Sequence, residues 1–383
     1  WPDLSGQSVR VAGVWSGDEQ ASFTAVLNEF AALTGATVEF FSTGNDIATV
    51  VGTQLEGGSP PDVALLPQPG LLVEFANRGA LVNIEDSVGD LVDANYAQAW
   101  RDLGSVNGDL YGVWFKAANK SLLWYNADIL EAAGVEPPTT WDEFLEAAQT
   151  VFDSGVTPIS VAGGDGWTLT DWFENVYLRT AGPEMYDQLT NHEISWTDDS
   201  VKEALGYLAQ IWQHEWLANG LQGTLEAGFP VGTVQPFLDN PTAAFAYGAD
   251  FSAGVIASDT NAELGTTARF VAFPSVAGSG PAVVGGGDVA VQLTNNEAAT
   301  QLMRFLATPE AAEVWAALGG YTSPNQGVDV AVYPDEVLQQ SAAALQQAKV
   351  ARLEILEVMN SAIPEARAEV AETAPKIKTI TIP

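Results

Sequence analysis

A short apolar run around Val9, Val11 and Val14 is followed by Phe23, Val26, Leu27, Phe30 and Leu33 at helical spacing. Steps of three and four put these five on one face, so the pattern predicts a strand over 9–14 and then a helix stopped at Gly35. The alternation repeats with a strand over 37–41, a helix over 47–55, a strand over 62–66 and a helix over 71–77 that ends near Gly79. The run over 62–66 is of the kind buried on both faces of a parallel sheet. Strand–helix units in series imply an α/β sheet covered on both sides, which binds ligands where loops leave the carboxyl ends of its strands.

A second block starts near Tyr111. Leu122-Leu123-Trp124-Tyr125 reads as a strand, Pro137-Pro138 breaks the chain, and Thr140 with Glu143 forms a capping box. The helix it opens places Phe144, Ala147, Ala148 and Val151 on one face. Val201, Leu205, Leu208, Ile211 and Trp212 mark a longer helix, and an aromatic-rich stretch lies between the two. A third block has a strand at Val289-Ala290-Val291, a second Thr–Glu pair at Thr294 and Glu297, and a helix carrying Leu302, Phe305 and Leu306. Thr308-Pro309-Glu310 starts a further helix with proline at its tolerated first position, and Gly319-Gly320 ends it. The Ala-, Gln- and Glu-rich tail over 336–372 reads as largely helical. There is no internal repeat or low-complexity linker, so short crossing strands are expected between lobes.

Composition sharpens this. The chain has 383 residues, longer than one ordinary core runs, so two lobes are expected. Lys+Arg number 14 against 49 Asp+Glu, a net charge of −35. Such a surface repels phosphate backbones and anionic membranes, which disfavours nucleic acid as a partner. The absence of cysteine removes disulfides, thiol catalysis and Cys-ligated zinc. His192 and His214 sit in different elements with no motif around them, and Gly285-Gly286-Gly287 precedes a strand with no lysine after it, so it is not a phosphate loop. No catalytic group, metal site or cofactor is singled out, although carboxylates are numerous enough to leave a two-carboxylate glycosidase open by counting. The start at Trp1-Pro2-Asp3, with no Met or apolar leader, reads as a mature or trimmed product of export.

The chain holds 12 Trp, several of them in loops beside small polar residues. A flat ring beside carboxylates and amides suits a sugar, which offers an apolar face and a rim of hydroxyls. Trp15, before Glu19, and Trp167, before Asp171 and Trp172, lie at strand-to-helix junctions. Tyr247, Asp250 and Phe251 follow another apolar segment. Trp100, Trp141, Trp212 and Trp315 sit within helices and read as core. Trp172 and Phe173 are adjacent, so at most one of them faces a cleft.

Three segments carry a resemblance. The first runs from Pro61-Asp62-Val63 to Leu66-Pro67-Gln68-Pro69-Gly70-Leu71. The second comprises Tyr111-Gly112-Val113, Lys120-Ser121-Leu122-Leu123-Trp124-Tyr125-Asn126, Ala133-Gly134-Val135 and Pro137-Pro138-Thr139-Thr140-Trp141-Asp142-Glu143-Phe144. The third comprises Gly286-Gly287-Asp288-Val289-Ala290-Val291, Thr308-Pro309-Glu310-Ala311 and Gly319-Gly320-Tyr321-Thr322-Ser323-Pro324-Asn325. Together they resemble the sugar-binding class of extracellular solute-binding proteins, the ligand-capturing subunits of ABC importers. The proline-rich loop and the Gly-Gly-Tyr-Thr-Ser-Pro-Asn run are similar to the α-glucoside-binding branch.

The resemblance implies an α/β, two-lobed fold of the periplasmic-binding-protein type. One lobe is expected over 1–114 and 272–308, the other over 115–271 and 309–383, with crossings near 112–117, 269–274 and 307–309. It implies no enzyme activity and no cofactor. The expected ligand is a small oligosaccharide such as an α-glucoside, with a cationic osmolyte in the same fold as the alternative. Permease subunits are the implied partners of a monomer held outside the membrane by a lipid on a segment not present here. Carried over by position, the ligand residues are Trp15, Glu19, Gln68, Tyr247, Asp250, Phe251, Gly287 and Asp288. Many relatives have a Trp where Gly287 stands, which shifts the stacking role to Trp167 or Trp172, beside Asp171. Lys116 is a further polar candidate, with a hinge salt bridge as its structural alternative.

Overall fold

A computed structural model describes residues 1–334 together with Leu338, Gln339 and Ala342. The tail expected to be helical over 336–372 otherwise lies outside the described residues. The strands are β1 (Ser8–Gly13), β2 (Thr37–Ser42), β3 (Val63–Leu66), β4 (Ser105–Val106), β5 (Asp109–Leu110), β6 (Gly112–Asn119), β7 (Leu122–Asn126), β8 (Ile159–Ser160), β9 (Phe245–Gly248), β10 (Ala268–Ala272) and β11 (Gly285–Gln292).

They form two principal sheets. The first has the order β2-β1-β3-β11-β6, with β1 parallel to β2 and β3 and β11 antiparallel to β3 and β6. The second has the order β10-β7-β9-β8, with β7 antiparallel to both neighbours and β8 parallel to β9. Every residue of β3 is buried, as its unbroken apolar run requires.

Helices cover both faces of the first sheet. Phe23 and Phe30 of the helix Gly17–Thr34 share one core with Leu302 of Glu297–Leu306 and Trp315 of Pro309–Ala316. Val51 of Ile47–Glu56 and Leu72 of Pro69–Asn77 fill the other face. In the second sheet Phe144 of Trp141–Asp153, Trp172 of Trp167–Thr190 and Leu208 of Asp199–Ile211 pack on one side. Trp124 and Ile256 of Ser252–Asp259 pack on the other.

Local signals worked where side chains had no rival partner. Gly35 ends its helix in the left-handed region at φ 75°, which glycine adopts without steric cost. The Thr140–Glu143 capping box is formed in both directions. The second Thr–Glu pair differs from expectation. Asn296 caps that helix by accepting from Ala298 N, while Thr294 donates to Asp62 at the end of another strand. A tertiary partner outcompeted the local cap.

Among the described residues, two segments cross between the sheets. β6 belongs to the first sheet as far as Asn119 and β7 to the second from Leu122, so the crossing is Lys120 and Ser121 and not 112–117. The return lies between Ala272 and Gly285. The two crossings are bonded together. Lys120 N donates to Val284 O at 2.9 Å, Val284 N donates to Ser121 Oγ at 2.8 Å, and Phe273 N donates to Ser121 O at 2.8 Å. The segment 307–309 is not a crossing, because the helices before and after it pack in the same first-sheet core. The helix Pro309–Ala316, expected in the second lobe, therefore belongs with the first. Its apolar face carries Ala311, Ala312 and Trp315, whose spacing fits the groove beside Phe23.

Candidate functional site

Where the lobes meet, β6 and β11 bring a lysine and an aspartate side by side. Lys116 and Asp288 are register partners, and a bulge follows at Asp288 and Val289. Gly287 makes this possible. A Cβ there would lie 2.0 Å from Lys116 O, so no side chain fits between the strands. Gly287 is thus a point of close backbone approach and offers no ligand platform.

Lys116 is buried. Its ammonium pairs with Glu19 at the start of the helix Gly17–Thr34 and lies over three rings, Phe251 at 5.0 Å, Trp315 at 5.2 Å and Trp15 at 5.8 Å. Trp15 and Trp315 are first-lobe core residues in edge contact at 4.7 Å, and Phe251 comes from the second-lobe loop after β9. That loop is tied to the first lobe. Asp250 N donates to Asn119 O at 3.1 Å, and Thr322 Oγ1 donates to Asp250 Oδ2 at 3.3 Å.

A second cluster stands on the helix Trp167–Thr190. Trp167, Asp171, Glu174 and Asn175 recur at helical spacing and share one face. Lys120 Nζ lies 3.1 Å from Asp171 Oδ1 and 5.4 Å over the Trp167 ring. Half-buried Trp167 also meets Phe229 at 5.0 Å and Phe251 at 6.4 Å. Asp171 Oδ2 is buried and has no hydrogen-bond partner within the described residues. At the rim, Asn45 Nδ2 of the first lobe donates to Asp165 Oδ1 of the second at 3.0 Å, and Asp165 Oδ2 accepts from Phe229 N at 2.6 Å.

Burial dominates the electrostatics. It pushes the Asp288 carboxyl up to about 7, against the pull of Lys116. It pushes Asp250 up to about 6, opposed by the Asn119 hydrogen bond and by Lys116. Burial, then the neighbouring Asp171, raises Glu174 to about 7. Asp171 is also raised by burial, with Lys120 opposing. Burial is the largest single influence on Lys116 and disfavours its charge, yet Glu19, Asp288 and Asp250 together hold its pKa above the ordinary lysine value.

The structure thus gathers Trp15, Glu19, Lys116, Asp250, Phe251 and Asp288 around one ammonium, and Trp167 and Asp171 around another. Other expected site residues lie elsewhere. Trp172 is fully buried against Tyr247 at 5.0 Å and Phe273 at 5.6 Å, in the second-lobe core. The Tyr247 ring shares that core, and its hydroxyl donates to Lys120 O at 2.6 Å, so it fixes the lysine's backbone from behind. Gln68 is exposed at the N-terminus of the helix Pro69–Asn77, where its side chain makes no capping hydrogen bond. Lys120, Phe229 and Trp315, with Glu174 and Asn175 on the helix face of Asp171, were not among the expected site residues. Lys120 stands four residues beyond Lys116, an even step that keeps both on one side of an extended chain. Phe229 opens a short helix ahead of Pro230, and Trp315 was read as core, which it is, although one face also meets Lys116. Among the described residues, no group of three or more His, Asp or Glu side chains is placed to hold a metal ion, and no helix is long and apolar enough to cross a membrane.

Comparison with known proteins agrees with this architecture. The family model for bacterial extracellular solute-binding proteins matches residues 15–313. An osmoprotective compounds-binding protein of Synechocystis sp. is 34% identical over 369 residues, covering 94% of this chain and 86% of its own length. An alpha-glucosides-binding periplasmic protein of Rhizobium meliloti is 32% identical over 380 residues, covering 93% of this chain and 81% of its own. Among solved structures, the bacterial solute receptor AcbH superposes with a TM-score of 0.78 at 19% identity, over 89% of this chain and 86% of that one. A chitin oligosaccharide binding protein gives 0.76 at 20% identity over the same shares. These structures share the two-lobed fold described above. The chain belongs to the bacterial extracellular solute-binding protein family.

Proposed function

We propose that the protein is the extracytoplasmic substrate-binding subunit of a carbohydrate ABC importer, a monomer without catalytic activity. It captures a small α-glucoside between its lobes and hands it to the membrane permease. The observation that carries this reading is the Trp167–Asp171 pair. A half-buried indole offers an apolar face, and one turn away a buried carboxylate oxygen lacks a partner. A sugar supplies what both want, a ring face for the indole and a hydroxyl donor for the acid. Glu19 and the two lysines supply further polar atoms for hydroxyls. Closure then follows from contacts that exist only when both lobes touch the ligand.

The alpha-glucosides-binding relative supports the sugar class. The osmoprotective compounds-binding relative supports a second reading, in which the ligand is a compatible solute. Titration calorimetry with maltose, trehalose, sucrose and common osmoprotectants separates the two. Binding of an α-glucoside is expected. Silence across α-glucosides overturns the ligand assignment, and silence across all sugars and osmoprotectants overturns the capture role.

A further inference from the structure

We propose that Lys116 and Lys120 are resident cations that keep positively charged ligands out of the cleft and so restrict it to uncharged polyhydroxyl compounds. This rests on the reading above that the cleft between the lobes is the ligand site. Without the lysines, the cleft has the makings of a cation site. Trp15, Trp167, Phe251 and Trp315 present ring faces, and Glu19, Asp171, Asp250 and Asp288 surround them. Rings beside carboxylates are what an ammonium seeks. The chain's charge of −35 draws cations toward every opening of the molecule.

Each of those four rings already has an ammonium over it from the chain itself. Lys116 serves Trp15, Trp315 and Phe251, and Lys120 serves Trp167. A tethered group competes at an effective concentration of roughly millimolar or more. An incoming cation must displace it, leave it without its carboxylate, and sit beside a like charge. What the Lys120 cluster lacks is a donor for Asp171 Oδ2, a buried acceptor without a partner among the described residues. A neutral hydroxyl that reaches it when the lobes part satisfies it without placing a second cation beside Lys120.

Lys120 is the one to remove, because its side chain is 21% exposed against 4% for Lys116. Choline and maltose are titrated by calorimetry into the wild-type chain and into Lys120→Met and Lys120→Arg, with near-ultraviolet circular dichroism to confirm folding. The wild type and Lys120→Arg are expected to show no choline binding, and Lys120→Met to gain it by about ten-fold or more over the detection limit. If Lys120→Met does not fold, Lys120→Gln takes its place. Choline binding in the wild type as tight as in the variant overturns the proposal, and so does a variant that gains none. Loss of maltose binding in the wild type speaks only against the α-glucoside reading, because the choline comparison is read independently of it.

Discussion

Lys116 and Lys120 lie four residues apart on one stretch of chain, yet their ion pairs are built in opposite ways. In the first pair the cation is buried and its partner Glu19 is 37% exposed. In the second the anion is buried, Asp171 at 5%, and the lysine reaches outward. The rings differ likewise. Trp15 and Trp315 are core residues of the first lobe, while Trp167, Phe229 and Phe251 are half-buried on the second. A buried lysine held by three carboxylates and locked rings cannot shed its charge cheaply. A buried aspartate whose pKa burial already raises can take up a proton when its partner is removed. The first lysine is therefore fixed in place by its burial, whereas the second can be replaced at less cost to the fold.

The largest expected effect tests that division directly. Lys116→Met removes the cation that Glu19, Asp288 and Asp250 share and the buried stem that packs among three rings. It is expected to cost the more, up to about 3–5 kcal/mol at a pH where those carboxylates are ionised and less where Asp288 and Asp250 take up protons. Lys120→Met should cost less than about 2 kcal/mol, because Asp171 can be neutralised by a proton. Urea unfolding of both variants at neutral pH measures the difference. Equal costs would end the distinction between a lysine fixed by its burial and one that can be replaced.

Asp288 sharpens the first cluster. Its carboxyl is pushed up to about 7 from an ordinary 3.8, so the folded chain keeps a proton that the unfolded chain releases between these values. Stability from this group is complete below the ordinary value and is lost as pH rises through about 7. Asp288→Asn is fixed in the neutral form. It should therefore gain on the wild type by up to about 1.4 kcal/mol per pH unit across that window, read from unfolding curves at several pH values. A constant difference between the two would mean that Asp288 stays ionised throughout.

The same contrast explains what the sequence made legible. The strand–helix alternation and the caps at Gly35, Thr140 and Thr308 are local, and they appear where the pattern placed them. Thr294 followed a tertiary partner instead. The residues gathered around the two lysines include positions that the sequence pointed to, Glu19 and Asp288 by family position and Lys116 by its chemical type. Gly287 was located but its role was not, because the approach of Lys116 O is a property of strand register and not of residue type. Trp172 and Trp167 look alike in the sequence. Only helix phase sends one into the core against Phe273 and leaves the other beside Lys120. The crossing at Lys120 and Ser121 was placed too early, since β6 continues to Asn119 and stays buried through Lys116 as far as Ala118.

That pair of tryptophans gives the next test. Trp167→Ala should weaken ligand binding by at least about 1 kcal/mol in calorimetry, with little change in melting temperature. Trp15→Ala should instead lower stability, as removal of a core aromatic does. If Trp167→Ala destabilises as strongly as Trp15→Ala, the second-lobe wall is core after all.

The smallest expected effect concerns the rim, where the two lobes touch without either lysine. Asn45 and Asp165 share an exposed hydrogen bond, so its net worth is about 0.5–1.5 kcal/mol at most. Asn45→Ala removes that bond alone. It should raise the ratio of open to closed chains by up to about ten-fold and weaken ligand capture by no more than the same factor, since closure and binding are linked. Small-angle scattering of the unliganded chain reads the first quantity and calorimetry the second. Asp165→Ala removes more, because the other carboxylate oxygen holds Phe229 N and with it the ring that meets Trp167. A loss of affinity larger in Asp165→Ala than in Asn45→Ala, at equal opening, would assign the excess to the aromatic wall. Equal losses would assign the whole effect to the clasp and leave Phe229 as packing.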